Sequence, residues 1–207
     1  MFDPGLMDMI LRLRGRGVSD NNILKAFEIT PRKLFVGEQH YMEAYEEKLL
    51  PIDCGQTLSE PLTIARMSQA LDVDPDHKIL EIGTGSGYHA AILSRLCKRV
   101  YSIERYKQLT EQCEALFRKL EIPNIVVRHG DGRHGWKGQA PFDRVLVTAG
   151  LKSVPAKLLD QLAPKGRLVA VVNDELMRFD KARTKVSETA IFKLTIPMIE
   201  AGKSKAL

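Results

Sequence analysis

The feature that most constrains this chain is a glycine-rich run, Glu81–Gly87, which follows a short apolar segment and precedes a stretch with helical spacing. Glycine is needed where the backbone turns sharply or where a ligand comes close to it, and such a run between a strand and a helix is typical of nucleotide-binding loops. Tyr88 stands in the place of the third glycine of a dinucleotide fingerprint, and no P-loop lysine follows. The spacing therefore disfavours NAD and ATP as ligands.

Strand and helix patterns alternate around this run. The predicted strands are near-continuous apolar segments at Lys78–Ile82, Arg99–Glu104, Asn124–Arg128, Phe142–Thr148 and Gly166–Val172. Helical spacing occurs at Ala90–Leu96, Tyr106–Leu120 and Val154–Leu162. The alternation is typical of a parallel sheet with helices on both faces. We therefore predict an α/β fold with a doubly wound, mostly parallel sheet, followed by antiparallel edge strands at Leu176–Phe179 and Thr189–Met198.

The first 60 residues have a different pattern. Residues 6–42 have helical spacing with breaks, Ser19 or Asp20 is a candidate N-cap, and Pro31 ends one helix. Residues 49–59 have no regular periodicity, and Pro61 begins a further helix. We expect residues 1–60 to form a helical extension with a loop, and residues 61–207 to form one compact domain.

Composition disfavours several classes of protein. No apolar run is long enough to cross a bilayer, and the N-terminus lacks the apolar core of a secretion signal. The three cysteines are not closely spaced, which favours reduced thiols in the cytoplasm and no metal site. The net charge is +5, but basic and acidic residues are interspersed along the chain and only 6% of the residues are aromatic. We therefore expect no nucleic-acid partner. A monomer is expected, because no long amphipathic extension suggests assembly.

Further polar residues follow the carboxyl ends of predicted strands. Glu104 ends the second strand, Asp131 and Gly132 follow the third, and Thr148 ends the fourth. Ligands of such sheets bind at these ends, where an acidic side chain can accept hydrogen bonds from both ribose hydroxyls. Each residue alone has a simpler interpretation, Glu104 as a surface carboxylate and Asp131 as a turn residue. Their coincidence with the glycine run predicts a cofactor site.

Several motifs point to one family. The glycine run, with its acidic residue two positions earlier, resembles the first motif of class I S-adenosylmethionine methyltransferases. The segment Pro51–Pro61 (PIDCGQTLSEP) resembles PIGxGQTISQP of the protein-L-isoaspartate O-methyltransferase family. Further similar segments are Pro31–Val36, Ala44–Glu47, Leu80–Tyr88, Val100–Arg105, His129–Gly132, Ala140–Ala149 and Leu159–Leu162. The resemblance covers about residues 10–173 and implies a Rossmann-like class I methyltransferase fold.

The resemblance implies that S-adenosyl-L-methionine is the cofactor. In such enzymes an acidic residue at the position of Asp131 pairs with the exocyclic amine of adenine. The cofactor-binding residues implied are Glu81, Gly83, Thr84, Gly85, Gly87, Glu104, Arg105, Asp131, Gly132 and Thr148.

The resemblance also implies methyl transfer to the α-carboxylate of L-isoaspartyl residues in damaged proteins, which begins their repair. A carboxylate is already ionised at neutral pH, so no general base is needed, and positioning can supply on the order of 7–11 kcal/mol. Ser59 is expected to orient the carboxylate, with Gln56, Thr57 and Leu58 shaping the substrate loop. Because Ser59 closely precedes Pro61 and a helix, it also has a simpler interpretation as a helix N-cap.

Some positions depart from the family pattern. Glu60 stands where the family usually has Gln, Asp53 replaces a small residue, and His89 replaces the Gln that usually follows Gly-Tyr. The largest departure is the segment 173–199, a region that normally helps to enclose the substrate. Two alternatives therefore stay open here. One is a paralogous methyltransferase for another carboxylate or a small molecule, and the other is a non-catalytic cofactor-binding protein that acts through partners.

Overall fold

The computed structural model describes residues 3–183 and 185–204, and within them most strands form one central sheet. The strands are β1 (Leu50–Ile52), β2 (Gln56–Leu58), β3 (Lys78–Ile82), β4 (Arg99–Glu104), β5 (Ile125–His129), β6 (Phe142–Leu151), β7 (Leu162–Val172), β8 (Glu175–Ala182) and β9 (Lys185–Lys193). The order in the central sheet is β5-β4-β3-β6-β7-β8-β9. Strands β3 to β7 are parallel, and β8 and β9 are antiparallel. The predicted α/β fold is therefore confirmed.

Helices cover the two faces of this sheet unequally. They are α1 (Pro4–Gly15), α2 (Asn21–Glu28), α3 (Pro61–Leu71), α4 (Tyr88–Ser94), α5 (Lys107–Lys119) and α6 (Ala156–Asp160). Helices α1 to α5 contribute to one apolar cluster, whereas α6 packs into the cluster on the other face. Trp136 also packs on that second face, where its ring meets Tyr101 edge-on at 5.5 Å. Helix α6 is shorter than the predicted helix, because Leu162 already pairs with Phe142 in the sheet.

Local sequence explains where several elements begin. Asp20 caps α2 by accepting backbone N–H bonds, so it is the N-cap in preference to Ser19. Strands β3 and β4 have the predicted bounds, and β3 is buried from Ile79 to Ile82, as its apolar run in mid-sheet requires. The strand order reverses between β3 and β6. Ligands of open α/β sheets bind at the carboxyl ends of strands beside such a reversal.

The N-terminal helices share a core with the sheet. Met9 of α1 and Phe27 of α2 are fully buried in the same cluster as Tyr88 of α4. The rings of Phe27 and Tyr88 meet edge-on at 5.9 Å. The extension is thus packed directly on the rest of the chain. Within the described residues, no helix is both long and apolar enough to cross a membrane.

Residues 49–59, for which the sequence predicts no regular structure, instead contain a hairpin of β1 and β2. Its turn has left-handed backbone at Cys54 and Gly55, with φ of 58° and 65°. Asp53 joins this turn to α5 by accepting bonds from Gln108 (3.0 Å) and Gln112 (2.7 Å). The prediction was wrong because strands of three residues are too short to show a period of two.

The C-terminal segment also departs from prediction. Strand β9 ends at Lys193, whereas the predicted strand continues to Met198. Pro197 has no N–H with which to continue a ladder, and the chain here crosses to the end of β6. There the Gly150 N–H donates to Pro197 O (2.7 Å), and the Ile199 N–H donates to Gly150 O (2.8 Å). We call residues 194–204 the C-terminal strap.

We expect Asp53→Ala to loosen the hairpin without unfolding the protein. The bonds that it removes lie at the surface, and each such bond contributes about 0.5–1.5 kcal/mol. Amide hydrogen exchange should become faster in β1 and β2, while exchange in β3 and the thermal unfolding midpoint change little. Unaltered exchange in the hairpin would contradict the role given to Asp53.

Candidate active site

A cavity lies at the carboxyl edge of the sheet, beside the reversal between β3 and β6. Its walls come from the glycine run, the ends of β4 and β6, the segment that follows β1, and the C-terminal strap. Most of the predicted site residues line it: Gln56, Thr57, Leu58, Ser59, Gly83, Thr84, Gly85, Glu104, Arg105, Gly132 and Thr148. The structure therefore brings the predicted cofactor loop and the predicted substrate loop into one cavity.

The glycine run is joined to the end of β6. Gly83 has a φ of +94°, and a Cβ at this position would collide with the hydroxyl of Thr148. That hydroxyl has one hydrogen to donate and shares it between the carbonyls of Ile82 (2.9 Å) and Gly83 (2.8 Å). Thr148 therefore helps to set the direction in which the run leaves β3, and glycine is required at its first turn.

The carboxylate of Glu104 joins the same run to the end of β4. One oxygen accepts the backbone N–H of Gly85 (2.9 Å), and the other accepts the backbone N–H of Tyr106 (3.0 Å). Glu104 is only 4% exposed and borders the cavity, so its interpretation as a surface carboxylate is wrong. Each oxygen has further acceptor capacity, with which it can bind hydroxyl groups of a ligand.

Glu81 lies behind the run and does not border the cavity. It is fully buried, and its Oε2 accepts the hydroxyl of Ser102 at 2.5 Å. Ser102 Oγ lies in turn 2.6 Å from Oγ1 of Thr84. Burial raises the pKa of Glu81 to about 8, against the opposing effect of the Ser102 bond. The carboxyl group is thus mostly protonated at neutral pH, and it supports Thr84 through Ser102.

The structure places Asp131 and Gly87 outside the cavity lining. The carboxylate of Asp131 accepts the backbone N–H of Arg133 (3.0 Å), the guanidinium of the same residue (2.7 Å) and the N–H of Gly202 (3.1 Å). Hydrogen bonds from Arg133 lower the pKa of Asp131 to about 2, although burial opposes them. Both oxygens are engaged, and it is Gly132 that borders the cavity. Gly87 lies at the N-terminus of α4.

Residues 56–59 form another wall. Gln56 donates to the hydroxyl of Tyr106 at 3.4 Å, which joins this wall to the chain that follows Glu104. Helix α3 begins at Pro61, with Glu60 in the N-cap position and no side-chain capping bond. The interpretation of Ser59 as the N-cap is therefore wrong, and Ser59 lies at the cavity wall.

Sequence reasoning did not identify every residue of the cavity. Tyr106 and His89 each follow a predicted residue closely in the chain, and that closeness is the signal that could have identified them. Residues 197–199 fall in the segment 173–199 that the resemblance places around the substrate, but no spacing pattern assigned them or Glu200 to this cavity. They reach the cavity because the strap is tied to the sheet edge, in part by an ion pair between Glu200 and Arg105.

The residues present fit S-adenosylmethionine. Glu104 offers acceptors for ribose hydroxyls, and Ile103 and Ile199 offer apolar surface for a planar base. Gly132 brings bare backbone to the cavity, since a Cβ there would collide with Ile82. When bound, this cofactor supplies a methyl group on a sulfonium.

We expect Glu81→Gln to change how stability depends on pH. Folding raises the pKa of Glu81 from 4.5 to about 8, so between these values the folded protein binds more protons than the unfolded chain and loses stability as pH rises. The variant lacks this loss. Between pH 5 and pH 8 its free energy of unfolding should therefore rise, relative to that of the unmodified protein, by at least about 1 kcal/mol. Denaturant unfolding measures the difference, and an equal difference at both pH values would refute the assignment.

Comparisons with a family model and with known proteins all point to the same family. The sequence matches the model of the family "Protein-L-isoaspartate(D-aspartate) O-methyltransferase" over residues 6–199. It is 45% identical to a protein-L-isoaspartate O-methyltransferase of Maricaulis maris, over 99% of this chain and 98% of that protein. It is 48% identical to the one of Paramagnetospirillum magneticum, over 86% of each.

A solved structure agrees with these sequence matches. A protein-L-isoaspartate O-methyltransferase superposes with a TM-score of 0.86 at 26% identity, over 95% of this chain and 66% of that one. The agreement includes the sheet on whose edge the cavity lies. The chain belongs to the protein-L-isoaspartate(D-aspartate) O-methyltransferase family.

Proposed function

We propose that this chain transfers a methyl group from S-adenosyl-L-methionine to the α-carboxylate of L-isoaspartyl residues in proteins, and so begins their repair. One observation carries the proposal: residues 56–59 and the glycine run line the same cavity. The first is the segment most specific to the family, and the second is the predicted cofactor loop. A methyl donor on one wall can thus meet a carboxylate on another.

The residues that border the cavity would hold the cofactor directly. Glu104 would accept the ribose hydroxyls, and Gly83 and Gly85 would let the ligand approach the backbone. Gly132 admits the base. Asp131 would contribute to cofactor binding only indirectly, because its carboxylate oxygens already accept hydrogen bonds from Arg133. Its role is to shape the turn that presents Gly132.

Other predicted residues support these positions. Glu81 acts on Thr84 through Ser102, and Gly87 lets the run enter α4. Substitution of Glu81 or Gly87 should therefore weaken cofactor binding by moving the run, since neither residue borders the cavity.

Positioning is the main task of the acceptor side. The substrate carboxylate arrives ionised, so the protein need not remove a proton from it. The Ser59 hydroxyl donates to one carboxylate oxygen and leaves the other directed at the methyl group. Leu58 and Ile64 line the same cavity and add apolar surface to it. Orientation of this kind can supply on the order of 7–11 kcal/mol.

Glu60, which follows Ser59, need not repel an anionic substrate. It is not among the residues that line the cavity, and its carboxylate accepts the hydroxyl of Thr63 at 3.4 Å. Its charge also acts on the buried guanidinium of Arg32, whose pKa burial lowers to about 10. The negative charge of Glu60 is therefore partly balanced inside the protein.

The divergent segment 173–199 does not remove a wall of the cavity. The family match extends to residue 199, and residues 197–199 line the cavity together with Glu200. These observations favour the isoaspartyl acceptor over the paralogous and the non-catalytic alternatives. We include a cytosolic location in the proposal, supported by Cys54, Cys97 and Cys113, which are free thiols.

Methyl transfer to two matched peptides tests the proposal, one with L-isoaspartate and the other with L-aspartate at the same position. With methyl-labelled cofactor we expect base-labile label on the isoaspartyl peptide only. Ser59→Ala should lower kcat/KM for that peptide by about 10²-fold, because the carboxylate loses its orienting donor, while affinity for the cofactor is unchanged.

The matched control is Ser153→Ala, since Ser153 is exposed and outside the cavity. It should retain the activity of the unmodified protein. Label on neither peptide, or equally on both, would show that the isoaspartyl acceptor is wrong. Loss of cofactor binding in Ser59→Ala would assign Ser59 to the cofactor instead of the acceptor.

A further inference from the structure

A second pocket, rich in arginine, lies beside α3, and no residue that lines it also lines the cofactor cavity. It is bordered by the end of α1, the second half of α3 and facing parts of β8 and β9. Arg16, Arg66 and Arg178 line it, and no acidic residue does. Arg66 is just over half a helical turn from Ile64 of the cofactor cavity, so α3 separates the two sites. We call the second site the arginine pocket.

The strand register places Arg178 on the side of the sheet that α3 covers. Its partner across the antiparallel pair is Thr189, which also lines the pocket. The next pair, Phe179 and Glu188, faces the other side, because successive side chains of a strand alternate and Phe179 packs in the same cluster as α6. The carboxylate of Glu188 is therefore directed away from the arginine pocket.

The arginines of the pocket have too few carboxylate partners to balance their charge. Within the part of the chain that the structure describes, neither Arg16 nor Arg66 forms an ion pair. Arg178 pairs with Asp180 at 2.7 Å, but the same carboxylate also pairs with Arg167 at 2.7 Å. The pocket thus has a net positive charge, and the like charges that line it repel one another. A bound anion would remove this repulsion.

One of the unpaired guanidinium groups is held in place by an aromatic ring. The central carbon of the Arg66 guanidinium lies 4.9 Å from the centroid of the Phe192 ring, which borders the same pocket. This cation–π contact restricts a side chain that otherwise has many rotamers. It leaves the N–H donors available to a ligand, and less ordering is then needed when Arg66 binds an anion.

We propose that the arginine pocket binds a small molecule that carries phosphate groups, a function separate from methyl transfer. A phosphate group has three acceptor oxygens and a charge of about −1.5 to −2 at neutral pH, so it can bind several guanidinium groups at once. A carboxylate has one charge and two oxygens, which a single arginine can satisfy. Gln69 and Thr189 add an amide and a hydroxyl to the same lining as further donors.

The arrangement of the donors favours a compact ligand. They border one pocket between two helices and a strand pair, whereas a nucleic-acid strand is bound by basic residues that follow a stripe along the surface.

Pyrophosphate is the probe of choice, because its two phosphate groups can reach more than one arginine. Calorimetric titration of the full chain, in a buffer free of phosphate, should show saturable binding of one pyrophosphate per chain. Sodium acetate at the same ionic strength should show none. Saturating S-adenosylhomocysteine should leave the affinity for pyrophosphate unchanged, since the two ligands occupy different sites.

We expect Arg66→Gln to lower the affinity for pyrophosphate at least about tenfold, the effect of one lost hydrogen bond to a charged group. The matched control is Arg95→Gln, which removes the same charge from an exposed position outside both sites and should keep the affinity. Phe192→Leu keeps every charge but removes the ring beside Arg66, and should lower the affinity about two- to fivefold. All three variants should bind S-adenosylhomocysteine normally, which shows that they are folded.

The absence of saturable pyrophosphate binding would overturn the inference, and so would equal affinities in Arg66→Gln and Arg95→Gln. An unchanged affinity in Phe192→Leu would contradict the positioning of Arg66 by the ring. A DNA duplex or an acidic peptide that binds more tightly than pyrophosphate, with the same dependence on Arg66, would assign the pocket to a macromolecule and overturn the inference too. None of these results depends on methyl transfer to the isoaspartyl peptide, so the proposed function stands or fails separately.

Discussion

The hydrogen bond from the Gly85 N–H to the Glu104 carboxylate is the interaction on which the site depends. It ties the glycine run, which leaves β3, to the end of the neighbouring strand β4. The second oxygen of Glu104 holds the N–H of Tyr106 just before α5, and Thr148 ties the start of the run to β6. The ends of adjacent strands and the loop between them thus form one edge, with an oriented carboxylate at its centre.

This edge could be predicted from the sequence, whereas the segments that close it could not. Strands β3 and β4 are buried mid-sheet, so their apolar runs mark both ends correctly. The hairpin around Cys54 has strands too short to show a period of two, and it depends on hydrogen bonds that a distant helix donates to Asp53. Residues 194–198 of the strap were expected to continue a strand, but Pro197 and its pairing with Gly150 lead the chain across the edge. Long-range tethers of this kind leave no local pattern.

The site residues divide in the same way. Glu104 and Thr148 were predicted because parallel strands bring their carboxyl ends to one edge. Whether another carboxylate faces the ligand depends on its hydrogen-bond partners in the fold, and the spacing of residues in the sequence does not reveal these partners. Glu81 lies within a strand buried on both faces, and its partner is Ser102 of the adjacent strand. Asp131 is turned towards Arg133, two residues later, and the backbone of its neighbour borders the cavity instead.

A calorimetric titration with S-adenosylhomocysteine tests most directly that this edge is a cofactor site built on the glycine run. Gly83→Ala forces an alanine into φ +94° and against Thr148, whereas Gly138→Ala adds a methyl group in open space. The account predicts binding by the unmodified protein and by Gly138→Ala, and an affinity at least about tenfold lower in Gly83→Ala. Equal affinities in all three proteins, or no binding by the unmodified protein, would contradict it.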